Sequence, residues 1–164
     1  MKPLILSRKQ LKAVLDILKV NLKGFREGLA KLVVKDGYWI ATNGYILVIG
    51  KCEGYEGEFD YGTLAELYAS SHAGDIVIPN TLSKPLGDYP DIKGLLTKAK
   101  YTETNARTFD PKLVSQALKL TDEYFKCCIW EAAGKPIFMF NCAPQTIFEP
   151  KDNNIQVIVW GMEK

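Results

Sequence analysis

Histidine is almost absent from this chain. One residue, His72, occurs in 164, between Ser71 and Ala73 in a turn-like stretch. One histidine cannot build a multi-histidine metal cluster, and in this turn-like setting it suggests no Ser/His/Asp or Cys/His set. Cysteine is sparse as well: Cys52, Cys127, Cys128 and Cys142 include no C-x-x-C pair. Two adjacent cysteines on a strand point to opposite faces. A disulfide framework is therefore not expected, and the four residues read as buried or free thiols of a cytoplasmic protein. Long apolar runs are missing. Tyr45–Ile49 and Val157–Trp160 are among the longest, against the ~20 residues a membrane helix needs. The opening Met1-Lys2-Pro3-Leu4-Ile5-Leu6-Ser7 has one charge and a very short apolar stretch before turning basic, which does not make a signal peptide. Neither G-x-G-x-x-G nor G-x-x-x-x-G-K-[ST] is present, so no glycine-rich phosphate cradle and no cofactor is implied.

What is present is an ordinary globular balance, 47% hydrophobic and 24% charged over 164 residues. A single domain of that size buries roughly 68–70% of the surface its unfolded chain exposes. The net charge of +2 conceals an asymmetry. Residues 1–26 hold Lys2, Arg8, Lys9, Lys12, Lys19, Lys23 and Arg26 against Asp16 alone, a local +6. Residues 52–83 hold Glu53, Glu56, Glu58, Asp60, Glu66 and Asp75 with no base, a local −6. A basic first segment is compatible with a phosphate-bearing partner and equally with a solvated helix face.

Periodicity supplies the elements. Leu4-Ile5-Leu6 suits a short strand. Ser7 with Gln10 three residues on is a capping-box pattern. Leu11, Val14, Leu15 and Leu18 then fall on one helical face, Arg8, Lys12, Lys19 and Lys23 lie on the other, and Gly24 is a natural stop. Leu32–Lys35, Tyr38–Thr42 and Tyr45–Ile49 read as strands joined by Asp36-Gly37 and Asn43-Gly44, dipeptides that supply the positive φ angles of tight hairpins. The order is β-α-β-β-β. A second copy follows at an offset of 103 residues, aligning Ser7 with Asp110, Leu11 with Val114, Val14 with Ala117 and Leu15 with Leu118. Its parts are a strand at Arg107–Phe109, a helix opening on Asp110-Pro111, and strands at Phe125–Glu131, Pro136–Phe140 and Ile155–Trp160. Pro136 is expected at a strand start. The fold class is α+β: one domain of two such halves, about 1–50 and 105–164, with antiparallel sheets and two helices on one side.

Between the halves, about 51–104, the pattern predicts an irregular insertion. Glu53–Gly62 reads as an acidic loop, Thr63–Ser71 as a short helix, Asp75–Pro79 as a short strand, Gly87–Pro90 as a turn and Lys98–Asn105 as a polar connection. Glu53, Glu56, Glu58 and Asp60 are able to gather a hard cation through oxygen ligands or to remain a solvated loop; their spacing is not that of an EF-hand.

Three stretches resemble one family. Ala41-Thr42-Asn43-Gly44-Tyr45-Ile46-Leu47-Val48 is similar to the A-T-D-G-H-R-L-A signature of bacterial sliding clamps, the DNA polymerase III beta subunit. Ile76-Val77-Ile78-Pro79 and then Gly87-Asp88-Tyr89-Pro90-Asp91-Ile92 resemble the clamp's I-V-P and G-R-F-P-D-Y segments. Phe109–Leu120 followed by Ile158-Val159-Trp160-Gly161-Met162 resembles the last clamp domain, which closes on V-V-M-P-M. The resemblance implies a clamp fold in a shortened relative, whose front half looks like the clamp's middle domain and whose back half looks like the last. Asn43 stands where the signature has aspartate, Tyr45-Ile46 where it has histidine-arginine, and Trp160-Gly161 where it has methionine-proline. In clamps the first and last motifs come from neighbouring domains and help line a pocket that takes a short partner peptide. The resemblance thus implies Thr42, Gly44, Tyr45, Ile46, Leu47, Ile158, Trp160 and Met162 as pocket residues, although Ile46, Leu47 and Ile158 suit plain core packing equally. It also implies that Arg8, Lys12, Lys19, Lys23, Lys112 and Lys119, on outward helix faces, meet duplex DNA non-specifically.

Three functional expectations follow. The first is a non-enzymatic, clamp-like DNA-binding or replication-associated module, of the kind a phage or mobile element encodes, that self-associates or docks on replication proteins and has no membrane partner. The second is a clamp-fold interaction module without DNA binding. The third is a metal-dependent enzyme that uses the acidic loop.

Overall fold

Ser7 ends one element and starts the next. It closes strand β1 (Leu4–Ser7) and caps helix α1 (Arg8–Lys19). Its Oγ accepts from the Gln10 amide at 3.1 Å, and Gln10 Oε1 accepts from the Ser7 amide at 3.0 Å, the reciprocal capping box. Leu11, Ala13, Val14, Leu15, Ile17 and Leu18 form the buried stripe of α1. The α-helix stops at Lys19 in a 3-10 turn, Val20–Leu22, before Gly24 is reached. This computed structural model describes residues 3–23, 27–92, 94, 100–101, 109–120, 127–132, 135–140 and 155–160; for residues 27, 100–101, 127–132, 135–140 and 155–156 it describes the backbone only. Gly24, Arg107, Thr108 and Met162 lie outside the described residues.

Strands β2 (Lys31–Lys35), β3 (Tyr38–Thr42) and β4 (Ile46–Lys51) form the expected antiparallel meander. Asp36 at φ 54° and Gly37 at φ 86° occupy the two central places of the first hairpin, as an Asp-Gly turn demands. The second hairpin departs from expectation. Thr42 pairs with Leu47, and the Asn43 amide donates to the Ile46 carbonyl at 3.3 Å, so the loop is centred on Gly44-Tyr45 rather than Asn43-Gly44. Gly44 alone takes a positive φ, 89°, which is the need of a turn with glycine at its first central place. Beside it in the meander, the Trp39 indole lies over its cross-strand partner Gly50, where an added Cβ would fall 2.0 Å from Nε1.

The acidic segment is more ordered than its composition suggests. Gly57–Asp60 is a strand, β5, which pairs with β2 and forms one edge of the main sheet. Helix α2 (Tyr61–Ser70) follows, with the Asp60 carboxylate accepting from the Thr63 amide as its cap. Strand β6 (Asp75–Ile78) then pairs with β1 in a separate two-stranded sheet. The first strand therefore leaves the meander it precedes and pairs with the middle of the chain. Lys100–Tyr101, expected as connection, form a two-residue strand, β7, against β8 (Cys127–Ala132).

In the second half Asp110 caps helix α3 (Pro111–Leu118) through the Lys112 amide, with proline at the helix start. Phe109, expected to end a strand, is outside any strand. β8 and β9 (Lys135–Phe140) are paired up to Ala132 and Lys135, leaving a two-residue connection, and Pro136 is the second residue of its strand, opposite Glu131. β10 (Ile155–Trp160) pairs with β9 on one side and with β4 on the other. The eight strands run β5-β2-β3-β4-β10-β9-β8-β7, every pair antiparallel.

Alternation along these strands gives the sheet two faces. Leu32, Val34, Trp39, Ala41, Ile46, Val48, Val157 and Val159 meet the stripe of α1, Leu64 of α2, and Ala117 with Leu120 at α3 in one core. Among the described residues α2 joins α1 and α3 on this face. On the other face Val33, Ile40, Leu47, Ile49 and Ile158 are buried too. At the β2–β3 end, Tyr89, Pro90 and Ile92 lie beside Val33, Tyr38 and Ile40 around a small cavity.

Candidate partner-docking site and basic helix faces

The β3–β4 turn is held by its own side chains. Thr42 Oγ1 donates to the Ile46 carbonyl at 2.8 Å and accepts from the Gly44 amide at 3.0 Å. Asn43 Oδ1 accepts from the amides of Tyr45 at 2.9 Å and Ile46 at 3.0 Å. Short polar side chains satisfy nearby backbone groups in this way and fix a turn without secondary structure. The loop thereby lifts Tyr45 to the surface, 52% exposed, while Thr42 and Asn43 stay buried.

Pairing between β4 and β10 brings this turn against the end of the chain's last strand. Leu47 lies opposite Ile158 and Ile46 opposite Val159, and the Trp160 amide donates to the Tyr45 carbonyl at 2.9 Å. The two motif stretches, more than 110 residues apart in sequence, are neighbours in one sheet. By strand alternation Trp160, partly exposed, lies on the face of Ile158 and Leu47, opposite the helices. Tyr45 and Trp160 thus mark an aromatic edge at the turn. Ile46, Leu47 and Ile158 are wholly buried. Of these, Ile46 belongs to the helix-side core, so it packs beneath the turn.

Sequence periodicity gave no role to one residue that positions this turn. Asn21, wholly buried in the 3-10 turn after α1, donates through Nδ2 to the carbonyls of Thr42 at 2.7 Å and Leu29 at 3.0 Å. The available signal was a polar residue three places after Leu18, where the helical stripe calls for an apolar one. Its Oδ1 is buried with no hydrogen-bond partner among the described residues, while its Nδ2 keeps two carbonyls paired.

The expected DNA-facing residues divide. Lys12, Lys19, Lys23, Lys112 and Lys119 are all exposed. Lys12 pairs with Asp16 at 2.9 Å, one helical turn on, and that hydrogen bond pushes its pKa up. Lys19, Lys23, Lys112 and Lys119 form no ion pair with any described residue. Arg8 is different. Its guanidinium donates to the Tyr68 carbonyl at 3.0 Å and to the Ser71 carbonyl, and it stacks over the Tyr68 ring at 4.0 Å. It satisfies orphan carbonyls at the end of α2 and is directed into the fold rather than outward.

The acidic segment is likewise engaged internally. Glu58 meets Lys31 at 2.6 Å and accepts from the Gly87 amide at 3.1 Å. Partial burial works to raise its pKa, but the Lys31 ammonium and the Gly87 amide outweigh it and the value falls. Asp60 meets Lys84 at 2.6 Å, and that hydrogen bond, with the Thr63 amide, lowers its pKa from 3.8 to about 2. Among the described residues no cluster of three or more His, Cys, Asp or Glu side chains is arranged to hold a metal ion. His72 sits exposed in the loop after α2, and Cys52 is a buried free thiol whose pKa burial pushes up. No helix among the described residues is long and apolar enough to cross a membrane.

No protein-family model and no curated protein matches the chain. Solved structures do. Its structural neighbours include DNA sliding clamps. A chain described as a DNA polymerase III beta subunit of Eubacterium rectale is similar at 8% identity and a TM-score of 0.49, covering 100% of this chain. The sliding clamp of Pseudomonas aeruginosa, bound to griselimycin, is similar at 10% identity and 0.47, covering 98%. The beta subunit of Streptococcus pyogenes DNA polymerase is similar at 11% identity and 0.43, covering 100%. The chain spans 65% and 64% of the length of the first two.

Proposed function

We propose that this chain is a non-enzymatic, clamp-like module of DNA replication that meets duplex DNA through its helix side and docks a partner peptide on the opposite side. The observation that carries the reading is the β4–β10 pairing: it sets Gly44–Leu47 beside Ile158–Trp160, the two stretches that resemble the clamp's peptide-pocket motifs. The exposed lysines support the other half. Lys19 ends α1, Lys23 follows the 3-10 turn after it, Lys112 lies on α3 and Lys119 just past its end, and the two helices pack on one face of the sheet. Such a face attracts phosphates without reading bases, and its affinity falls with salt as counterions are released. Self-association would extend the face along a duplex.

The test is fluorescence anisotropy with a labelled duplex, paired with light scattering for molar mass. Wild-type protein is expected to bind near ~50 mM salt and to weaken steeply towards ~200 mM. The variant Lys19→Glu, Lys23→Glu, Lys112→Glu, Lys119→Glu is expected to lose binding while keeping its circular dichroism. A wild-type chain that ignores duplex DNA at every salt concentration contradicts the DNA half of the reading. One observation favours a second reading, an interaction module without DNA binding: Arg8 and Lys12 are already partnered within the fold, which thins the basic face to its far end. That reading predicts no DNA binding but saturable binding of griselimycin, used as a probe and followed by tryptophan fluorescence, with loss in Trp160→Ala.

A further inference from the structure

Asn43-Gly44 is the only Asn-Gly step in the sequence. Asparagine is among the thermolabile residues, and a following glycine removes the side chain that would hinder attack on the carboxamide. In the reaction the Gly44 amide nitrogen loses its proton to hydroxide and bonds to Asn43 Cγ. The Cγ–Nδ2 bond breaks as that nitrogen takes a proton from water, regenerating hydroxide, and ammonia leaves. Water then opens the resulting succinimide at either carbonyl, giving aspartate or isoaspartate. Gly44 is exposed to that hydroxide and water, at the tip of the hairpin.

Both reacting groups are restrained in the fold. The Gly44 N–H that must be lost is donated to Thr42 Oγ1 at 3.0 Å. The Asn43 carboxamide that must swing onto that nitrogen is pinned through Oδ1 by the Tyr45 and Ile46 amides at 2.9 and 3.0 Å. Thr42 is itself anchored, buried at 3% exposure, with its hydroxyl on the Ile46 carbonyl at 2.8 Å. Deprotonation therefore requires the Gly44–Thr42 hydrogen bond to open first, and any swing of the carboxamide out of its place breaks the two bonds to Oδ1 as well.

We propose that Asn43-Gly44 is a latent deamidation site kept shut by the folded turn, with the Thr42 hydroxyl as its latch. The two products differ in consequence. Aspartate at 43 keeps an acceptor oxygen for the Tyr45 and Ile46 amides. Isoaspartate inserts an extra backbone methylene into the loop that carries Tyr45, and the Trp160–Tyr45 hydrogen bond loses its register. The inference does not depend on DNA or peptide binding.

Peptide mapping by mass spectrometry tests it. Wild-type protein is incubated at mildly alkaline pH, folded and in urea, and conversion in the 36–51 tryptic peptide is followed, with isoaspartate separated by chromatography. The folded chain is expected to convert at least about tenfold more slowly than the unfolded one, since ~1.4 kcal/mol of local opening already supplies a factor of ten. Thr42→Val, close in shape but lacking the hydroxyl, is expected to convert faster than wild type while folded, and Thr42→Ser to stay near the wild-type rate. Equal rates for folded and unfolded wild type overturn the proposal, with no variant needed. Should Thr42→Val be folded yet convert at the wild-type rate, the latch is not Thr42.

Discussion

Helices α1 and α3 are each capped by a polar side chain and each precede antiparallel strands of one sheet, yet they are anchored to different depths. Helix α1 has twelve residues, six of them buried, and a reciprocal capping box. Helix α3 has eight, of which Ala117 alone is buried, with Leu113 and Val114 only partly covered. Each helix is amphipathic and has lysine on its outward face. The lesson is that a shared pattern of caps and apolar spacing specifies the element, whereas its length and the neighbours it finds set how much it contributes. Helix α1 gains a second helix beside it, held by Arg8 on the carbonyls of α2. The second half gains its anchorage through β10, which borders β4 in the middle of the sheet.

The largest effect that sharpens this contrast is in the core. Leu11→Ala is expected to cost about 2–5 kcal/mol in urea unfolding, as for other wholly buried leucines. Its counterpart by sequence alignment, Val114→Ala, is expected to cost about 1 kcal/mol, for two half-covered methyl groups. Similar losses at the two positions would break the comparison.

A smaller effect concerns the edge strand β5, in the segment that joins the two halves. Asp60 caps α2 and meets Lys84, and its pKa is depressed to about 2 in the folded chain. A depressed carboxylate contributes stability that is complete above its unfolded value, near 3.8, and is lost as pH falls towards 2. Acid unfolding monitored by circular dichroism is expected to show this loss in wild type over that window. In Lys84→Met, which removes the leading cause of the shift, the loss across the same window is expected to be shallower; an unchanged profile would show that the Lys84 pair contributes nothing to the edge. Both side chains are substantially exposed, so the change is expected to be modest.

Local chemistry was legible in the sequence, and long-range pairing was not. Ser7–Gln10, Asp36-Gly37 and Asp110-Pro111 each satisfy backbone groups within a few residues, so their residue types announce the outcome. Gly57–Asp60 misled because its acids read as solvent-seeking. Their partners Lys31 and Lys84 lie more than twenty residues away, and only folding brings them together. Arg8 sat on the outward face by periodicity, yet the end of α2, sixty residues on, captures it. For the candidate site, the motif stretches were readable, but their meeting depended on β10 choosing β4 as a neighbour. Asn21 showed only as a polar residue in an apolar stripe, and the turn settled on Gly44-Tyr45 through the side-chain bonds of Thr42 and Asn43.

That choice of neighbour is the centre of the account, and proton–proton contacts in solution test it most directly. Trp160 donates to Tyr45, so alternation in an antiparallel pair makes Ile46–Val159 and Val48–Val157 the non-hydrogen-bonded pairs, whose α-protons approach most closely. Strong α-proton contacts between Ile46 and Val159 and between Val48 and Val157 are the predicted result. If both are missing, and β10 shows such contacts to a strand other than β4 and β9, the two motif stretches do not meet and the proposed docking site falls with them.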